Sequence, residues 1–439
     1  MNQLSATDVW TVVAAALVLL MTPGLAFFYG GMTRVTAALN MMMMSFVSIG
    51  LVGVVWVLWG SSMSAEPGWV PGIVGSPWRD FGLGESSASG DLLAAGFSGT
   101  FAIITVALVS GAIADRTKFG SWCVFVPVWI TFVYAPLAFM VWTDGGLFAA
   151  DGWIGKALGE TIDFAGGLVV HVNAGVAGLV LCLVLGVRRG FGKDADHRPH
   201  NLPFVMLGAA LLWFGWFGFN AGAAADAAEA GLIWINTLVC PAAGMLGWLL
   251  VERLRDGHPT SLGSASGIVA GLVAITPACA NVDPGWSIVL GLVSGAACCL
   301  AVGLKYRFGY DDSLDVVGLH LVAGVIGTVA LGFIATDDNG RAGLFYGGGV
   351  GLLVAQVVAT ILTAVFTAVV TFVIAIAVKK TIGFRVTPEV EERGIDAVSH
   401  AESAYAFLSG ASAYPGDRDR AAVAEHRVSD GEQGKHTAS

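Results

Sequence analysis

The sequence predicts an all-α integral membrane protein of eleven transmembrane helices, built as two inverted five-helix repeats plus one additional helix. Three observations carry this. Of 439 residues, 56% are hydrophobic and only 12% charged, against roughly 25% charged in soluble domains. Runs of about 20 mostly apolar residues, the length that crosses a hydrocarbon layer, recur along the chain. One short pattern then occurs twice, 149 residues apart.

The first five runs, each bounded by charges or turn residues, lie near residues 9–31, 37–63, 92–114, 119–142 and 164–187. The next five lie near 202–223, 230–251, 262–279, 286–305 and 314–335, and an eleventh spans 349–378. The 60 glycines fit this class, because small residues let helices approach closely in a bilayer. Residues 1–378 thus read as a transmembrane domain and 379–439 as a polar tail, disordered over its last thirty or so residues.

All six cysteines, Cys123, Cys182, Cys240, Cys279, Cys298 and Cys299, fall inside apolar runs without disulfide or zinc spacing, and read as packing residues. The N-terminus carries Asp8 and no Lys or Arg ahead of its apolar run. A secretory leader needs a basic start, so none is expected.

An odd number of spans puts the termini on opposite sides, and the bias of Lys and Arg decides which is which. One set of loops holds Arg34, Arg116, Lys118, Arg188, Arg189, Lys193, Arg198, Arg253, Arg255, Lys305 and Arg307, and the tail adds eight more. The other side has only Arg79, Lys156 and Arg341. The N-terminus is therefore expected outside, the tail in the cytoplasm, and no basic residue within a span. Fourteen acids on the outer side, among them Asp80, Glu85, Asp91, Asp144, Asp151, Glu160, Asp226 and Glu229, would enrich a cation there. Ordinary solvated loops give the same excess, so it names no substrate. No nucleic-acid partner is expected.

The repeated pattern is H-x-x-A-G-V-x-G, from His171 to Gly178 and from His320 to Gly327. The copies fall in the fifth and tenth runs, so the chain parses into two five-helix halves, inverted because five is odd. Inverted repeats are a hallmark of transport folds, whose substrate path lies at the repeat interface. Ionisable groups within spans are rare and face a cavity or one another. His171 and His320 are therefore expected to meet on the pseudo-axis of a pore. The histidines outside the spans, His197, His200, His258, His400, His426 and His436, read as solvated.

Several segments resemble the ammonium transporter family of bacterial and plant transporters, yeast permeases and, more distantly, Rhesus proteins. They are PGLAFFYGG in the first run, DFAGGLVVHVNAG in the fifth, HNLPFVMLG and GWFGFNAG around the sixth, and GLVAITPACA in the eighth. DVVGLHLVAG in the tenth and FRVTPEVEERGIDAVSHAESAY in the tail complete the resemblance, which covers roughly residues 9–406.

The resemblance implies conduction of ammonium or ammonia across a cell membrane by a homotrimer, each subunit with its own narrow hydrophobic pore. It also implies a cytoplasmic tail coupled to a PII-type signalling protein. Trp142 and Phe101 resemble aromatic groups that receive the cation, with Phe97 beside them, and Phe101 with Phe219 resembles a stacked gate. His171 and His320 are similar to the family's twin pore histidines. Asp163 and Asn220 are expected as structural supports. Where many bacterial relatives carry a serine three residues after the asparagine of GWFGFN, this chain has Ala223. No enzymatic activity and no cofactor are expected. An ammonium sensor with little conduction is the alternative within transport, and a membrane haem protein with two axial histidines is the alternative outside it.

Overall fold

A backbone surrounded by lipid must satisfy its hydrogen bonds internally, and within one segment only a helix does so. The computed structural model describes residues 4–65, 68–89, 91–193, 198–337 and 340–405. His197, His426, His436 and the residues after 405 lie outside this set. Among the described residues, ten helices are long and apolar enough to cross a membrane. The first seven are α1 (Ala6–Met32), α2 (Val35–Met63), α3 (Leu92–Ile113), α4 (Phe119–Trp142), α5 (Gly167–Leu185), α6 (Leu202–Ala221) and α7 (Ala227–Asp256). After α8, described next, come α9 (Pro284–Phe308), α10 (Val317–Ile334) and α11 (Gly351–Thr381).

The expected eighth run forms α8 (Ser261–Ile275), apolar but only 15 residues long. It stops short of residue 279 because Pro277, one residue past the cap Thr276, has no amide hydrogen to continue the ladder. With α8, the described residues hold the eleven apolar helices expected from the sequence. A short hairpin, Gly68–Val70 paired with Val74–Gly75, is the strand structure of the described residues.

The repeats meet along α1 and α6. A side chain at Gly208 would collide with the backbone of Phe28, and a Cβ at Gly24 would stand 3.0 Å from the Leu211 Cβ. This close approach stands in for the hydrophobic drive that lipid does not supply between helices. Buried indoles find acceptors: Trp122 Nε1 donates to Met44 O at 2.9 Å and Trp56 Nε1 to Ala95 O at 2.9 Å. All six cysteines are free, and all but Cys123 are buried.

Helix α11, outside both repeats, presents a buried polar face of Gln356, Thr360, Thr363, Thr367 and Thr371. Gln356 donates to Ile162 O at 2.8 Å and Thr328 O at 3.1 Å, and accepts from Ile162 N at 3.0 Å. Thr367 Oγ1 donates to Asn173 Oδ1 at 2.9 Å, and Trp129 Nε1 donates to Thr371 Oγ1 at 3.0 Å. The helix is thereby pinned to α10, α5, α4 and the segment before α5.

The tail-bearing face carries an ionic network. Arg188 pairs with Asp311 at 2.8 Å and Asp115 at 2.9 Å. Arg116, fully buried, donates to Asp311 O at 2.5 Å and pairs with the Asp311 carboxylate at 3.7 Å. From the tail, Glu391 accepts from Arg385 and from the Arg189 amide, each at 2.7 Å, and its carbonyl accepts from Arg34 at 2.9 Å. Asp396 caps α2, taking the amides of Leu39 at 2.9 Å and Asn40 at 2.7 Å.

Two expectations need correction. His200 and His400 are not simply solvated: His200 bonds Thr33 O and the Tyr405 hydroxyl, and His400 bonds Asn40 Oδ1 at 3.0 Å. The folded tail covers them in part. Lys305, read as a loop residue, lies in the last turns of α9 and is only 8% exposed. Ionic partners across the α9–α10 turn make that position tenable for a charge.

Candidate functional site

At the face opposite the tail, α4 ends at Trp142. Its indole nitrogen donates to Asp163 O at 2.7 Å, and the residue is 38% exposed. The Phe101 ring stands edge-on to Trp142 with centroids 6.0 Å apart, and Phe97, one turn away on α3, lies 5.0 Å from Phe101. Phe219 of α6 stacks on Phe101 at 4.2 Å and 19°. Ala223, exposed just beyond α6, adds no polar group. Asn220 is buried and donates to Thr237 Oγ1 at 3.0 Å, which ties α6 to α7.

Beneath the phenylalanine pair is a narrow cavity of about 10 Å³ walled by apolar side chains such as Leu25, Ile104 and Val269, with Phe219, Trp216, His171 and His320. That is about the least space that holds one water. The imidazoles of His171 and His320 are stacked with centroids 5.3 Å apart, and their Nδ1 atoms are 3.2 Å apart. Trp216 stacks on His171 at 5.5 Å. The contact between the imidazoles leaves no gap for a macrocycle, so the two histidines do not form a haem site.

Each histidine sits in a π-helical turn, Gly167–Val172 or Val317–Leu321. Such turns are rare and concentrate at functional positions. An aspartate eight residues earlier holds each one in place. Asp163 accepts the amides of Gly166, Gly167, Leu168 and Val169, and Asp312 accepts those of Val316 at 3.0 Å and Val317 at 2.7 Å. Just before each turn the backbone takes a positive φ, 114° at Gly166 and 64° at Asp315. Asp163 was expected as a support, whereas Asp312 was not singled out. Adding the repeat offset of 149 to 163 would have found it. Trp216 was also missed, though it stands three residues before Phe219 and so on the same helix face.

A line of aromatic rings, a narrow apolar slot and two facing imidazoles come together here, and their residues fall within recognisable sequence. Residues 9–405 match the Ammonium Transporter Family. The chain belongs to that family. It is 50% identical to an ammonium transporter of Mycobacterium bovis over 431 residues, covering 91% of this chain and 90% of the relative. The ammonium transporter of Bacillus subtilis is 45% identical, with 89% and 96% covered. Among solved structures, Saccharomyces cerevisiae Mep2 superposes with a TM-score of 0.78 at 33% identity, covering 88% of each chain. A structure described as a Sensor Amt Protein superposes with a TM-score of 0.81 at 26% identity, over 90% of this chain and 98% of that one. This member of the ammonium transporter family is thus a multi-pass membrane transporter, and transport of ammonium is its activity.

Proposed function

We propose that ammonium is recruited at Trp142 and Phe101, with Phe97 and Ala223 at the margin, surrenders its proton, and passes as ammonia between Phe101 and Phe219 and along His171 and His320. The observation that carries this is the lining of the cavity: apolar side chains and two imidazoles, with no carboxylate and no ring of carbonyls. Such a slot cannot replace the hydration shell of an ion. Moving an ammonium-sized ion into low dielectric costs on the order of 20 kcal/mol. Giving up a proton roughly 2 to 3 pKa units above ambient pH costs about 3 to 4 kcal/mol, so deprotonation is the cheaper route.

The residues divide the work. Trp142 and Phe101 hold the cation through their ring faces, worth ~0.5 to 2 kcal/mol depending on desolvation. Trp142 is oriented by its bond to Asp163 O, which leaves the indole face free. Below the gate, imidazole nitrogens offer a donor or an acceptor according to tautomer. His171 Nε2, unpaired within the protein, is available to ammonia. Asp163 fixes the π-turn that carries His171, and Asn220 holds α6 behind Phe219.

The N-terminus, in this reading, lies outside and the tail in the cytoplasm of a plasma or inner membrane, an orientation that the excess of Lys and Arg in the tail-side loops supports. In this reading the protein works as a homotrimer with one pore per subunit, residues 379–439 form a cytoplasmic tail, and that tail is the contact point for a PII-type protein. The likeness to a Sensor Amt Protein favours a second reading, in which ammonium binding is sensed and little is conducted.

The test is an inward ammonium pulse on proteoliposomes, with current and internal pH recorded. Saturable flux in the parent is expected. Loss of selectivity for ammonium over potassium is expected when His171 and His320 are both replaced by leucine. A folded parent that binds ammonium without flux would favour sensing, and an unchanged double variant would remove the histidines from the path.

A further inference from the structure

The two halves treat their capping aspartates alike, down to the carbonyl. In the first half, Trp142 at the end of α4 donates to Asp163 O at 2.7 Å. In the second half, the donor is Lys305, in the last turns of α9, the helix equivalent to α4, and its Nζ donates to Asp312 O at 2.9 Å. Lys305 Nζ also pairs with Asp315 Oδ1 at 2.6 Å and stands 5.5 Å from the centroid of the Tyr306 ring. Carbonyl, carboxylate and aromatic ring are the three kinds of group that hold an ammonium ion, and Lys305 is 8% exposed among them. A primary ammonium of the chain itself therefore takes, in the second half, the carbonyl that the Trp142 indole takes in the first.

We propose that Lys305 pre-occupies an inner ammonium site and so makes the transporter bind ammonium asymmetrically. Outside, the indole leaves a ring face open to the cation; inside, the equivalent place already holds –NH₃⁺. An ammonium ion entering from the cytoplasm finds the carbonyl of Asp312 and the carboxylate of Asp315 already taken by the chain's own amine, whereas one entering from outside meets an aromatic face. The pore then releases its cargo inward without a competing site at the inner mouth. This rests on the outer-site reading above.

Two experiments on the full chain test it. In the first, thermal unfolding of Lys305→Ala and the parent in detergent is followed in ammonium, methylammonium, sodium and tetramethylammonium chlorides at equal ionic strength. Removing the side chain leaves a space shaped for a small ammonium. The variant is expected to be less stable in sodium and to recover at least half of the loss in ammonium or methylammonium, but not in tetramethylammonium. Recovery that is equal in all four salts, or absent in all, would overturn the site.

The second uses oriented proteoliposomes and serves even if the alanine variant does not fold. The ratio of inner to outer half-saturation for ammonium should fall at least five-fold in Lys305→Gln and keep its parental value in Lys305→Arg. A purely structural ion pair would move both faces together, and an unchanged ratio in Lys305→Gln overturns the proposal. Should the parent itself conduct nothing, the reading of transport fails while the unfolding experiment still decides the inner site.

Discussion

Trp142 and Ala223 test how much of the outer recognition rests on one ring. A single hydrogen bond contributes a net ~0.5 to 1.5 kcal/mol, and 1.4 kcal/mol is a tenfold change in affinity. Ala223→Ser should therefore lower the half-saturation for ammonium by at most about tenfold, and Trp142→Leu should raise it by more. A serine variant with weaker affinity, or an indifferent Trp142→Leu, contradicts the arrangement. A second residue-scale prediction concerns acid. Burial works to raise the Asp311 carboxyl, but the bonds and charges of Arg188 and Arg116 outweigh it and hold the group down at about 2, from 3.8. A depressed carboxyl contributes stability above its unfolded value, lost as pH falls through the folded one. The difference is about 2 kcal/mol, so unfolding temperature in detergent should drop between pH 4 and 2. Asp311→Asn should be less stable at pH 7 and show a shallower acid decline. Legibility at this scale was uneven. Phe101, Phe219, His171 and His320 stood inside specific motifs. Asp312 lay within reach of the repeat offset and Trp216 of the helical spacing to Phe219, whereas Lys305 matters through the carbonyl and carboxylate it touches across a turn, which no local pattern announces.

Among the helices, the apolar runs were readable because lipid imposes length and composition together. Their ends were less so: α8 halts before Pro277, and α9 runs on through Lys305. The π-turns in α5 and α10 left no trace in hydropathy, since they depend on aspartates reaching forward to free amides. Helix α11 was counted correctly, but the purpose of its polar face was not visible. That face carries the element-scale prediction. Gln356→Leu strips the Ile162 amide and carbonyl of their partner beside Asp163, and an unpaired buried group costs about 1 to 3 kcal/mol. Because Asp163 holds both Trp142 and the π-turn of His171, the variant should melt several degrees lower and show a raised half-saturation. Gln356→Glu, able to satisfy both groups when protonated, should recover affinity at low pH. Parental melting and affinity in Gln356→Leu would make α11 a passive filler.

For the whole molecule, the repeat gave the inverted halves, and one periodic residue pair located the centre. What it could not give was the union of the tail with the helical bundle. Glu391 and Asp396 bond residues of α2 and of the loops before α2 and after α5, so the tail is a structural part of that face. Ending the chain after Lys380 should lower transport severalfold while the protein still inserts, measured as flux per inserted protein. Full flux from the shortened chain would show that the tail-bearing face holds its shape alone.

The contact between Arg34 and Glu391 joins residues 357 positions apart in the chain. A ribosome adding roughly 5 to 20 residues per second needs about 20 to 70 s to cover that distance. Through that interval Arg34 and the α2 cap sites, and through its later part Arg189, lack the tail groups they bond. The contacts of this face are therefore completed only once the chain has been made as far as Asp396. Pulse-labelled chains should gain protease resistance in the loops of that face only after residue 396 has emerged. Resistance in chains arrested earlier would mean that the bundle closes without the tail.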